Sequence, residues 1–326
     1  MQNSFPTRPR IPLTAPGQPT LVLQVQHPSH RVHKNSDVLY VHGSSFGADL
    51  SIFYRFEGRS WADALSDAGH TVWGVDWAGY GHSERYPQGV TEPVGQMADV
   101  LPQLRRAIAA IRTRNGDQPV ALIAHSWGGS VAAAYASQHP EDVRALVLFA
   151  PISPRPPTSI QALPAAPTVS HYPVSLWAQY RRFVEDVPRG QPQVLSEAHF
   201  QAWGETWLAT DPTASTRFPP SVWTPAGPGL DVQAWWSGEW LYEPAQVQAP
   251  TLLVRGAWDA LCTDADAKTL LNALGSAQKA DCKIARATHL MHLESQRTVL
   301  HEHTNAFLQT LFRNDTSTTT ITKDFA

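Results

Sequence analysis

Residues 124–129 read Ala124-His125-Ser126-Trp127-Gly128-Gly129, between the apolar run 119–124 and a stretch of small residues that extends to Gln138. The apolar run predicts a buried strand, and the small-residue stretch predicts a helix over 128–138. A serine on a tight strand-to-helix turn projects its hydroxyl above the sheet, and small neighbours relieve the backbone crowding there. The helix N-terminus behind it places partial positive charge where an oxyanion would form. The pattern departs from G-x-S-x-G only at the first small position, which is Ala124. A Ser-Gly turn alone is common. Its setting between strand and helix makes Ser126 a candidate nucleophile.

The pattern repeats on both sides of this stretch. Strands are predicted at 21–25, 37–41, 71–76, 145–149, 251–255 and 281–285, and helices at 59–65, 92–114, 263–274 and 294–312. Pro102 lies inside the 92–114 segment and predicts a kink or restart there, with Asp99 capping the second piece. Such alternation implies an α/β class: a mostly parallel central sheet with helices on both faces. Prolines 6, 9, 12, 16 and 19 mark residues 1–19 as an irregular leader. Alternation stops between 151 and 250, a segment holding 16 of the 27 prolines and 7 of the 12 tryptophans. The division is therefore a core of 20–151 and 250–313, an insertion of 152–249, and a flexible tail of 314–326 rich in threonine.

Composition excludes several classes. Apolar residues make up 42 % of the 326 and charged residues 16 %, so the chain can bury a core and is not a disordered polymer. The net charge is −3, and its 20 arginines and 5 lysines form no stripe, which argues against a nucleic-acid partner. Cys262 and Cys282 cannot build a disulfide framework or a cysteine-rich zinc site. There is no H-E-x-x-H, and His289, His292 and Glu294 cluster only in sequence, so neither a metal nor a cofactor is expected. No apolar run approaches the ~18 residues of a membrane span, and the N-terminus lacks a signal-type apolar segment. A soluble cytoplasmic protein acting on a small molecule is the expectation.

The Ser126 turn and its setting resemble the α/β-hydrolase fold superfamily, in its serine-nucleophile branch with a cap domain. The resemblance covers most of the chain outside the tails and the insertion. It implies an acid and then a histidine after later strands, in the order Ser, Asp, His. Thr251-Leu252-Leu253-Val254-Arg255-Gly256-Ala257-Trp258-Asp259 is a strand ending in a carboxylate, and the resemblance assigns the acid to Asp259. Asp264 and Asp266 lie farther into the following helix and fit helix capping better. His289, in Thr288-His289-Leu290-Met291-His292-Leu293-Glu294, occupies the place of the family histidine, with His292 its competitor. The separations are 133 and 30 residues, the first containing the insertion.

The family takes one oxyanion donor from the residue after an HG pair, here Ser44 after His42-Gly43, and the other from the residue after the nucleophile, Trp127. Both donors are backbone N–H groups. Asp76-Trp77-Ala78-Gly79-Tyr80-Gly81-His82-Ser83 is similar to a structural turn of the family, held by Asp76. The insertion stands where the family carries its cap, which implies short helices over Ser126. Most of its tryptophans should pack the cap, and one or two should face the pocket and favour a compact apolar or aromatic substrate. The implied activity is hydrolysis of a carboxylic ester or lactone through an acyl-enzyme. The alternatives are carbon–carbon bond hydrolysis of a diketone-like compound with the same three residues, or a non-catalytic small-molecule receptor.

Overall fold

Alternate residues of β3 (Asp37–Val41) serve two cores on opposite faces of one sheet. Val38 and Tyr40 pack with Trp61, Phe149 and Leu300, while Leu39 and Val41 pack with Leu104, Ile108 and Val131. The two-residue period of a strand requires this division, and it makes a strand buried on both faces apolar throughout. The computed structural model describes residues 8–30, 36–87, 89–156 and 166–317. Its eight-stranded sheet contains, in chain order, β1 (Arg10–Ala15), β2 (Gln18–Gln26), β3, β4 (Thr71–Asp76), β5 (Val120–His125), β6 (Val143–Phe149), β9 (Thr251–Gly256) and β10 (Lys279–Ile284). Their spatial order is β1-β2-β4-β3-β5-β6-β9-β10, and the last six are parallel.

Helices α1 (Trp61–Asp67) and α8 (Arg297–Ser317) cover one face; α2 (Met97–Asn115), α3 (Trp127–Gln138) and α7 (Asp264–Ala273) cover the other. The alternation of strands and helices thus produces the mostly parallel sheet with helices on both faces. Several details differ from the sequence expectation. Residues 10–15 and 18–19, assigned to an irregular leader, form β1 and the start of β2, an antiparallel hairpin at the sheet edge. An edge strand tolerates prolines such as Pro12, because one row of its backbone donors has no partner strand. The rest of that leader, residues 1–7, lies outside the described residues.

Pro102 causes no restart: α2 begins at Met97, and Asp99 accepts the Gly95 and Gln96 N–H groups at the helix entrance. The missing donor of Pro102 therefore falls near the start of the helix, and residues 92–96 are not helical. The last helix starts at Arg297 rather than 294 and continues to Ser317, into the segment expected as tail; residues 318–326 lie outside the described residues.

The insertion contains α4 (Leu176–Val184), α5 (Glu197–Leu208) and α6 (Gly227–Trp236), but it is not wholly helical. β7 (His171–Ser175) and β8 (Ser221–Pro225) form an antiparallel pair of their own. Its aromatic side chains fasten it to the loop after β3. Trp203 is fully buried, its ring 5.0 Å from Phe46 and 4.9 Å from Phe183, and its indole N–H donates to the Leu50 carbonyl at 2.9 Å. Trp207 stacks on it at 5.9 Å and donates to the Ser45 carbonyl at 3.4 Å.

Removing a large buried ring leaves a cavity and, here, an unpaired carbonyl. Trp203→Ala should therefore lower the unfolding free energy by about 3–5 kcal/mol. Trp177, 66 % exposed on α4, should cost within about 0.5 kcal/mol on the same change. Urea unfolding followed by tryptophan fluorescence, with circular dichroism as a second probe, checks the contrast.

Candidate active site

Ser126 stands between β5 and α3 with φ +56° and ψ −128°. Few non-glycine residues adopt this conformation, and it persists only where the surroundings impose it. Here the Ser126 N–H donates to the Phe149 carbonyl of β6 at 2.9 Å. Gly128 lies so close to the end of β3 that a Cβ there would collide with the His42 carbonyl oxygen. Gly43 is nearly as restricted, since its Cβ would lie 3.3 Å from both the His125 carbonyl and the Ser126 Cβ. The small residues of the Ser126 stretch thus permit two strand ends to meet at the serine.

Three of the sequence-selected residues form one hydrogen-bonded chain. His289 Nε2 lies 2.8 Å from Ser126 Oγ, and His289 Nδ1 lies 3.0 and 3.1 Å from the two Asp259 carboxylate oxygens. Asp259 Oδ1 also accepts the backbone N–H groups of Leu261 at 2.8 Å and Cys262 at 3.0 Å. Burial alone would raise the Asp259 carboxyl. The charge of His289, its hydrogen bond and the two backbone donors outweigh burial and hold it below the usual range. All three side chains are buried.

The competitors lie elsewhere. Asp264 is exposed and pairs with Arg255 and Lys283. Asp266 forms the reciprocal cap of α7 with Thr263. His292 is buried behind the site, 4.7 Å from the His125 ring and 6.1 Å from Phe46, and neither ring nitrogen has a hydrogen-bond partner among the described residues. Burial, with His289 nearby, pushes its pKa well down, so it sits as a neutral ring.

Ser44 lines the same cavity as Ser126 and His289, and its carbonyl accepts from Tyr80 Oη at 2.6 Å. The Trp127 indole donates to Asp231 of α6 at 2.8 Å, tying the turn to the insertion. His42 is a structural residue whose function the sequence did not reveal. Its Nε2 accepts the Trp77 N–H at 3.1 Å, which makes Nδ1 the donor to the Gly43 carbonyl at 2.7 Å. Burial lowers its pKa to about 4, consistent with one fixed neutral tautomer. Asp76 braces the same loops, accepting from the Ala48 N–H at 2.8 Å and the His82 N–H at 3.0 Å. The turn at 76–83 is therefore a brace for the turn at 42–48.

The cavity at Ser126 has a volume of about 130 Å³. Phe46, Leu261 and Leu290 give it apolar walls, and Gln179 and Arg182 reach it from α4. None of the seven tryptophans of the insertion is among its lining residues. The expectation that one or two would face the pocket is corrected by where their rings go. Trp203 and Trp207 join the aromatic cluster, and Trp235 packs with Trp240 and Tyr242. Trp236 lies under Arg155, and Trp177 and Trp223 face solvent.

With this geometry in place, the comparisons are direct. A family model described as the alpha/beta hydrolase fold matches residues 38–296, and the chain belongs to that family. No curated protein matches by sequence. Among solved structures, the chain is similar to a membrane phospholipase A described as a bacterial virulence factor, with 19 % identity, a TM-score of 0.64, and coverage of 93 % of this chain and 86 % of that one. An esterase from Exiguobacterium antarcticum matches with 14 % identity and a TM-score of 0.61, covering 91 % and 98 %. The thioesterase domain of the curacin biosynthetic pathway matches with 17 % identity and a TM-score of 0.60, covering 93 % and 100 %. Among the described residues, no helix is long and apolar enough to cross a membrane.

Glu294 fixes the loop that carries His289. One carboxyl oxygen accepts the Thr288 N–H at 3.1 Å, and the other makes a short contact with Thr288 Oγ1. Burial raises its pKa from 4.5 to about 7. The folded chain thus binds this proton more tightly than the unfolded chain. The stabilisation is fully present below about pH 4.5 and is lost as pH rises through about 7. Glu294→Gln resembles the protonated form in shape and hydrogen bonding. The variant should match the wild type in stability near pH 4.5 and exceed it at pH 8, as read from paired denaturant melts across that range.

Proposed function

We propose that the protein is a serine hydrolase that cleaves a carboxylic ester or lactone through an acyl-enzyme. The observation that carries this proposal is the continuous chain from Ser126 Oγ through His289 to Asp259, with links of 2.8 and 3.0 Å. Ser126 Oγ attacks the substrate carbonyl while its proton passes to His289 Nε2. Asp259 accepts the Nδ1–H, keeps the ring in the productive tautomer and stabilises the imidazolium. The N–H groups of Ser44 and Trp127 are the proposed donors to the tetrahedral oxyanion, the second aided by the N-terminus of α3. Collapse breaks the ester C–O bond, and His289 returns its proton to the departing alcohol. Water then repeats the sequence at the acyl carbonyl and restores Ser126.

In this scheme the insertion is the cap. Its aromatic cluster holds α4 over the cavity, so the floor of the site comes from the sheet and part of the roof from α4. The cavity of about 130 Å³ supports a compact reacting group. With the tryptophans used in packing, nothing in its lining points to an aromatic substrate.

A fluorophosphonate probe should label Ser126, and Ser126→Ala should abolish labelling and lower kcat on p-nitrophenyl acetate by about 10⁴-fold or more. Asp259→Asn, which leaves His289 in the wrong tautomer, should lose about 10⁴-fold. Peptide mapping of the adduct and steady-state kinetics check both. Retention of more than about a hundredth of the rate by Ser126→Ala would remove Ser126 as the nucleophile. A diketone in the same panel distinguishes carbon–carbon cleavage from ester cleavage.

A further inference from the structure

Two polar side chains of α4 face the Ser126 cavity, and ester chemistry requires neither. Gln179 is 3 % exposed and lines the cavity, yet its amide has no hydrogen-bond partner among the described residues. The amide atoms are not sealed from solvent; they open into the cavity, where a ligand would replace the water that otherwise satisfies them. Arg182 lies three residues on, hence on the same side of the helix, and lines the same space. Ser175 caps the start of α4 by accepting the Ala178 N–H at 3.1 Å, while buried Phe183 anchors the other end. The two side chains therefore project from a fixed element.

Arg182 is held rather than exhausted. Its Nη1 donates to Glu185 at 3.0 Å, and both Nη atoms lie 3.4 Å from Asp186 Oδ2. A guanidinium has five N–H donors, and Nε makes none of these contacts. Neither Glu185 nor Asp186 lines the cavity. Arg182 is, among the described residues, its only lining residue of the Lys, Arg, Asp or Glu types. His125, also in the lining, is kept neutral by burial and by the neighbouring His292, His289 and Arg182. Among the described residues, the space beside the nucleophile thus presents one fixed cation, one amide open to a ligand, three apolar side chains and no carboxylate.

We infer that the hydrolase selects compact esters carrying a carboxylate close to the scissile carbonyl, with Arg182 and Gln179 as its receptors. A planar anion suits a guanidinium, and a carboxylate oxygen can accept from the Gln179 amide as well. The size follows from the volume. Ser126, Gln179 and Arg182 line one cavity of about 130 Å³, which favours esters whose carboxylate lies only a few atoms from the scissile carbonyl. This substrate class presupposes the ester hydrolysis proposed above.

The test uses two pairs of esters in which an isopropyl group replaces the carboxylate. Monomethyl succinate against methyl 4-methylpentanoate places the charge on the acyl side. Acetoxyacetate against isobutyl acetate places it on the leaving side. The wild type should favour the charged member of at least one pair by about tenfold or more in kcat/KM. Loss of a charge-assisted hydrogen bond costs about ten- to a hundredfold. Arg182→Met should therefore reduce the charged-to-neutral ratio by that factor, and Gln179→Leu by severalfold. Arg182→Lys, which keeps the charge, should retain part of the preference and supplies the comparison if the Met variant does not fold. Equal or better turnover of the neutral esters by the wild type overturns the inference. So does a ratio unmoved by these variants, or no turnover of any of the four despite probe labelling of Ser126. Failure of the underlying hydrolase proposal looks different: Ser126 is then unlabelled, and Ser126→Ala does not impair whatever turnover exists.

Discussion

The close approach of two strand ends, β3 at His42-Gly43 and β5 at Ser126, is the constraint on which the site depends. Parallel neighbours in one sheet end at the same level, so their following turns compete for the same space. Gly128 and Gly43 resolve that competition by having no Cβ where the opposing backbone lies. The result is a serine with φ +56°, whose strain is offset by its N–H bond to Phe149 and by the helix that follows. A residue of any size at Gly128 would separate the turns that carry Ser126 and the two proposed oxyanion donors. Catalytic geometry here is a consequence of strand packing.

Around that contact, burial assigns the histidines their different parts. His42, His125 and His292 are buried on the elements that hold the Ser126 turn and its neighbours, and burial drives each toward the neutral form. Only His289 has a carboxylate on one nitrogen and a hydroxyl on the other. His42 shows what a neutral ring contributes: one donor and one acceptor that bind two turns together without introducing charge. His125 makes one such link on the other side, its Nε2 3.0 Å from the His289 carbonyl. The proposed base is thus surrounded by rings that burial holds neutral and that add no charge beside it.

How much of this was legible in the sequence depended on the range of the interaction concerned. β3 and β4 fall on the residues their apolar runs indicate, because a strand buried on both faces leaves no ambiguity of period. Ser126 could be selected from its turn at the end of such a strand, and Asp259 and His289 from the family resemblance; the structure brings the three together. β2 was legible at 21–25, but β1 and the start of β2 were hidden by their prolines, which an edge strand accepts and a central strand would not. The tryptophans misled for a related reason. Composition shows that a segment carries aromatic side chains but not which way they face, and Trp203 and Trp207 face the loop after β3 rather than the cavity. Gln179 and Arg182 left no sequence signal at all, since a Gln and an Arg on an amphipathic helix normally face water.

The insertion therefore does two separable things through two faces of its helices. Its aromatic face, with Phe183, Phe200, Trp203 and Trp207, is dry and holds the segment against the loop at 44–50. That loop also supplies the proposed oxyanion donor at Ser44, so the packing that holds the roof stiffens the floor as well. The polar face of α4 is the part free to vary. A side chain at 179 or 182 can change without disturbing the aromatic cluster, because Phe183 carries the helix's anchoring contacts. On the proposed reading, substrate choice and fold rest on different residues of one short helix, so one or two substitutions on its polar face would change the ester accepted without disturbing the aromatic cluster.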